Sequence, residues 1–120
     1  MDRKMTIEKL KEAIKKFCEK RDWDKFHNAK DLAINIINEA SELLEFFRFK
    51  SNEEVNKMFK SNKKKRQIAC EVADLFFALL RLCQRYNIDI SDSLLSKINT
   101  LNRKYPVSKA KGSNKKYNEL

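Results

Sequence analysis

One glycine and one proline in 120 residues leave this chain few ways to turn sharply. Phosphate-cradling loops such as GxxxxGK[ST] or GxGxxG need several glycines for close backbone approach to the ligand. Hairpin-rich β folds need Gly and Asn-Gly turns at regular spacing. Neither pattern is present, and Leu, Ile, Lys, Glu and Ala dominate instead. These are strong or adequate helix formers, so the chain reads as all-α.

The length predicts a single domain over residues 1–120, with 105–120 as a basic C-terminal tail. A chain of this size buries roughly two thirds of its unfolded surface. The 42% hydrophobic content supports a globular fold despite 37% charged residues and a net charge of +10. The uncharged apolar stretch Leu75 to Leu80 is far short of the ~20 residues of a membrane span. The charged, amphipathic N-terminus does not read as a signal peptide. Cys18, Cys70 and Cys83 are odd in number and lack CxxC spacing. They are expected to be reduced, mostly buried thiols of a cytoplasmic protein.

Apolar residues at Ile7, Leu10, Ile14 and Phe17 predict a first helix from a Thr6 cap to about Asp22. An aromatic connector, Arg21 to His27, leads to an Asn28 cap and a second helix over about Ala29 to Phe47. Ser51 with Glu54 forms a capping-box pattern for a brief helix near 52–60. A long helix follows the basic run Ser61–Arg66, from about Lys64 to Tyr86, and is apolar almost all round from Ile68 to Leu80. Ser91 is expected to cap a further helix ending before Tyr105-Pro106, since proline disfavours helix at the residue before it.

Two short patterns carry chemistry: Glu39-Ala-Ser-Glu42 and Glu71-Val-Ala-Asp74. Residues three apart on a helix are neighbours, so each pair presents two carboxylates on one face. Helical placement puts Glu39 inside the apolar arc of Leu32, Ile36, Leu43, Phe46 and Phe47, with Glu42 at its edge. Glu71 is flanked by Ala78 and Leu82. A carboxylate in apolar surroundings is costly unless it is paired or binds a metal. Two antiparallel helices facing each other would gather all four carboxylates, and four anions together call for a cation. All-oxygen ligation suits Mg²⁺, Mn²⁺ or Ca²⁺ rather than zinc. A di-iron bundle would need Glu-x-x-His pairs, and the sole histidine, His27, lies outside both pairs.

The pairs Glu39-x-x-Glu42 and Glu71-x-x-Asp74, with Leu43 to Cys70 between them, resemble the EXXE–EXXD signature of MazG-like nucleotide pyrophosphohydrolases. Arg21-Asp22-Trp23-Asp24-Lys25-Phe26-His27 is similar to the RDW-x-x-F-H segment of the small dCTP pyrophosphatase branch. Lys104-Tyr105-Pro106-Val107, and Lys111-Gly112-Ser113 through Lys116-Tyr117, are similar to that branch's C-terminal segment. The resemblance implies an all-α NTP-pyrophosphatase fold of four-helix chains, assembled as a dimer or a tetramer. It implies hydrolysis of a nucleoside triphosphate to the monophosphate and pyrophosphate, with non-standard or dCTP-like dNTPs as house-cleaning substrates. Glu39, Glu42, Glu71 and Asp74 would be the catalytic Mg²⁺ ligands, with Mn²⁺ able to stand in. Trp23, Phe26 and His27 would line the substrate pocket, and Phe49 stands where the family often has a tryptophan. Ile14, Ala78 and Leu101 replace a histidine, a tyrosine and an asparagine frequent in the family, so base and sugar contacts differ here.

Lys97, Lys104, Lys109, Lys111, Lys116 and Tyr117 are expected to meet the phosphates, the tail closing over them. Read without the family, Trp23 is a hydrophobic staple, His27 a local hydrogen-bonding residue and each lysine a solvated charge. Phe46, Phe47, Phe76 and Phe77 fit core packing or a subunit interface. The competing function is a basic nucleic-acid-binding helical module, suggested by Lys63-Lys64-Lys65-Arg66 and the net charge. It lacks a recognisable reading element and gives the apolar-face carboxylates no purpose. Half of the +10 lies in Arg103 to Leu120, which suits attraction of a triphosphate to a site of acidic metal ligands.

Overall fold

The computed structural model describes residues 1–120 and contains helices and no strands. Four longer helices are α1 (Ile7–Glu19), α2 (Ala29–Glu45), α4 (Asn62–Arg85) and α5 (Ile90–Lys104). Two short ones are α3 (Asn52–Met58) and α6 (Val107–Ala110), with single 3₁₀ turns at Asp24–Phe26 and Tyr117–Glu119. The chain divides into two compact units, Met1–Ile88 and Asp89–Leu120.

Local chemistry sets the helix starts as expected. The Thr6 hydroxyl accepts from the Lys9 N–H, and Asn28 Oδ1 accepts from the Asp31 N–H. Ser51 and Glu54 form a complete capping box. Two starts differ. Ser61 caps α4, so the basic run is itself helical from Asn62. Asp89, not Ser91, caps α5, accepting from the Asp92 N–H and leaving Ile90 half-buried in the first turn.

The helix ends show how a chain nearly without glycine turns. After α1, Asp22 adopts φ 53° while Trp23 and Asp22 donate to the carbonyls of Cys18 and Glu19. After α4, Asn87 adopts φ 54° and Ile88 donates to the carbonyl of Cys83. These are left-handed helix ends of the kind glycine most often supplies, made here by Asp and Asn, which tolerate that conformation. Asp22 stops α1 at Glu19, three residues before the expected end.

In the first unit, α2 packs along α4 as the dominant helix pair, with α1 against α4. The N–H of Ala29, at the start of α2, donates at 2.6 Å to the hydroxyl of Tyr86 just past the end of α4. The two helices therefore run antiparallel. Ile14, Cys18, Leu32, Ile68, Ala78, Leu80 and Cys83 form the buried apolar core. The three cysteines are free, and Cys70 is exposed where the other two are buried.

The sequence predicts α4 as apolar all round and therefore enclosed. Its outer face instead leaves Val72, Phe76 and Leu79 each more than 40% exposed, lining with Ile68 and Phe59 a groove of about 770 Å³. One chain supplies α1 and α2 to cover only part of the helix circumference. Phe46, Phe47 and Phe77 are half-buried, whereas Phe76 lies on that open face.

In the second unit, the Tyr117 ring meets the Tyr105 ring edge-on at 6.1 Å, and Lys104 Nζ lies 4.8 Å from its centroid. These contacts fold the tail back on the end of α5. Gly112, the only glycine, sits in the intervening turn at φ 75°.

Candidate active site

The inward stripe of α2 runs Leu32, Ile36, Glu39, Leu43, and that of α4 runs Ile68, Glu71, Leu75, Ala78. A glutamate thus interrupts each apolar stripe, and the antiparallel packing sets the two opposite each other. Carboxylate oxygens of Glu39, Glu42 and Glu71 lie within 4.8 Å of one another, with Glu42 on the exposed rim. A cleft of about 270 Å³ opens beside them, lined by Glu42, Glu45, Phe46 and Glu71. Asp74 stands exposed outside that trio, yet its negative charge acts on both half-buried glutamates, Glu39 and Glu71.

The electrostatics follow from this crowding. Burial, then the charges of Glu42 and Asp74, raise the pKa of Glu39. A hydrogen bond shared with Glu42, followed by burial and the same neighbouring charges, raises that of Glu71. Glu39 Oε2 and Glu71 Oε2 are buried without any hydrogen-bond partner. Buried polar atoms are normally satisfied, so two orphaned carboxylate oxygens side by side offer donor atoms to a ligand. A hard divalent cation accepts such a donor set, and the residues present fit one.

The connector before α2 is held by an arginine of α4 that the sequence reading did not single out. Arg81 is 1% exposed. Its guanidinium donates from Nε to His27 Nδ1 at 2.8 Å, from Nη1 to Gln84 Oε1 at 2.7 Å, and from Nη2 to Asp24 Oδ1. Arg85 adds bonds to the carbonyls of His27 and Asp24, each at 3.3 Å. Trp23 packs edge-on against Phe17 at 5.5 Å and lies 6.3 Å from the His27 ring. It thus has the staple contact, while 39% of it remains exposed. Phe26 is exposed and His27 half-buried. The one sequence signal for Arg81 is its place as a lone charge within Leu75–Cys83.

Phe49 is 92% exposed at φ 60°, with the Arg48 guanidinium 4.8 Å from its ring centroid. Ile14 and Ala78 are core residues. Lys97, Lys104, Lys109, Lys111, Lys116 and Tyr117 all belong to the second unit, whereas the carboxylates and the Trp23–His27 segment belong to the first.

This arrangement, paired carboxylates on two antiparallel helices, can be compared with known proteins. The MazG-like family profile matches residues 32–120, which include all four carboxylates. The chain belongs to the MazG-like family. A Bos taurus protein named dCTP pyrophosphatase 1 is 31% identical over 115 residues, covering 96% of this chain and 68% of that protein. The Homo sapiens protein of the same name is 30% identical over the same coverage. A solved structure of a pyrophosphatase from Archaeoglobus fulgidus matches with a TM-score of 0.78 at 33% identity, covering 82% of this chain and 91% of that one. MazG-like membership therefore agrees with the helical fold. No helix is long and apolar enough to cross a membrane.

Proposed function

We propose that this MazG-like chain is a Mg²⁺-dependent nucleoside triphosphate pyrophosphohydrolase, converting a (d)NTP and water to the (d)NMP and pyrophosphate. The observation that carries the reading is the pair of orphaned, buried oxygens of Glu39 and Glu71 beside Glu42. With Asp74 standing outside that trio, they would offer an all-oxygen donor set on the α2–α4 pair. Mg²⁺ held there would neutralise charge on the phosphate oxygens and acidify water. The likeness to the proteins named dCTP pyrophosphatase 1, and the Arg21–His27 segment, favour dCTP-like or non-standard dNTPs in nucleotide-pool house-cleaning.

In the proposed reaction a water oxygen attacks the α-phosphorus, the bond to the bridging oxygen breaks, and pyrophosphate leaves in line. Glu42, on the exposed rim, orients that water and takes its proton. Trp23 offers a partly exposed ring for stacking on a base, worth ~1–3 kcal/mol. The lysines at 97, 104, 109, 111 and 116, with Tyr117, are proposed phosphate contacts on sequence grounds.

The uncovered apolar face of α4, with Val72, Phe76 and Leu79 open to solvent, supports a homo-oligomer, either dimer or tetramer. Three free cysteines suit the reducing cytoplasm. Incubation with each (d)NTP and Mg²⁺, followed by separation of products, tests the activity. NMP and pyrophosphate in equal amounts are expected, strongest with deoxypyrimidines. No release from any nucleotide, modified pyrimidines included, would return the nucleic-acid-binding module to first place. Glu39→Gln and Asp74→Asn should each lose at least ~100-fold in turnover with helicity intact, because several kcal/mol of charge stabilisation go with a ligand. Wild-type turnover by either variant in saturating Mg²⁺ would sink the site assignment.

A further inference from the structure

We propose that Arg81 is a positioning residue that locks the His27 imidazole with its proton on Nε2, aimed at an acceptor oxygen of the bound nucleotide. The inference rests on the reading that the Trp23–His27 segment binds substrate. Arg81 is the one charged residue buried in the chain. Guanidinium has donors only and stays charged throughout the physiological range. The atom that Nε meets at 2.8 Å must therefore be an acceptor, which makes His27 Nδ1 a bare lone pair. In the neutral ring the single proton then sits on Nε2. A second proton on Nδ1 would set donor against donor.

Burial and the Arg81 charge also hold the His27 pKa below its ordinary value. The charged groups facing the ring are Arg81 and Arg85 from α4 and Asp24 from its own connector; only Asp24 favours the imidazolium. Asp24 is itself engaged by Arg81 and lies 3.8 Å from Arg85. Gln84 completes the support, accepting from Arg81 and donating to the Lys11 carbonyl at 2.7 Å. The ring thus becomes a neutral donor of fixed direction. A buried arginine is weak evidence for stability, because its desolvation offsets its ion pairing. A neutral donor suits an oxygen acceptor without adding a charge that titrates near pH 7.

His27 is the only histidine, so ¹⁵N imidazole spectra of the full chain report it alone. The wild type should show unprotonated Nδ1 and protonated Nε2, with a midpoint below ~6.5. Arg81→Met should give mixed tautomers and an upward midpoint, with KM raised about tenfold and kcat changed less than about threefold, one hydrogen bond's worth of binding. Adding His27→Ala to Arg81→Met should then cost little more. A wild-type ring protonated at Nδ1, or a tautomer unchanged by Arg81→Met, overturns the positioning role, whatever the KM of His27→Ala says of the segment. If the tautomer shifts as expected but His27→Ala leaves KM unchanged for every hydrolysed nucleotide, the substrate reading of the segment fails and the proposal with it. Should Arg81→Met lose its helical signal, Arg81→Lys, which keeps charge without the planar fork, carries the same readouts.

Discussion

Glu39 and Glu71 each occupy a stripe position that a leucine would fill at no electrostatic cost, and their raised pKa values record the penalty. For an acid whose pKa is raised by folding, the native chain binds protons that the unfolded chain has released. That contribution to stability is present at mildly acidic pH and is lost as pH climbs from the ordinary carboxylate range through the raised value. Thermal melts in a chelator should therefore give a Tm that falls as pH rises above the ordinary carboxylate range. Glu39→Gln should flatten this fall and melt higher than the wild type at the upper end. Saturating Mg²⁺ should abolish the slope in the wild type. A metal-free Tm that does not respond to pH or to Glu39→Gln would contradict the strained-cluster description. Glu39→Gln should thus stabilise the fold while abolishing turnover, the pattern expected of a residue kept for chemistry.

At the scale of the helix, the two left-handed ends at Asp22 and Asn87 are where a glycine-poor chain spends conformational energy. Asn87→Gly should keep or slightly raise stability. Asn87→Val, whose β-branched side chain fits φ 54° badly, should cost about 1–2 kcal/mol, read by denaturant unfolding. Equal stabilities for the two variants would mean that the turn has rearranged. The same contrast explains which elements the sequence reveals. Thr6, Asn28 and the Ser51–Glu54 box are legible because a cap is settled by residues three apart. Asp89 and Ser91 compete for one helix start, and the choice falls to Asp89, which also places Ile90 inside. The burial of Arg81 is illegible locally, since it depends on Asp24 and His27, more than fifty positions earlier, closing around it. For the site, periodicity alone places Glu39 within an apolar arc and Glu42 at its edge. It cannot show that Asp74 would stand outside the close trio, because that depends on how α2 and α4 rotate against each other.

On the scale of the whole molecule, the open face of α4 and the basic second unit make two separate demands. If Val72, Phe76 and Leu79 are covered by another copy, sedimentation should show an oligomer, and Leu79→Lys should shift it toward monomer and lower the melting temperature. A monomeric wild type would dismiss that assembly. Deleting residues 107–120 should raise KM several-fold with little change in kcat, as expected for lost uniform binding of the phosphates. Unchanged kinetics would release the tail lysines from any substrate role.

The crowded glutamates have one more consequence. Because the pKa values of Glu39 and Glu71 are raised, a divalent cation binding at the proposed site would compete with protons for the same oxygens. Affinity for such a cation should then tighten as the medium becomes more alkaline, and a weakly buffered solution should acidify during titration. Occupancy of the proposed site would thereby be tied to ambient acidity, before any nucleotide arrives.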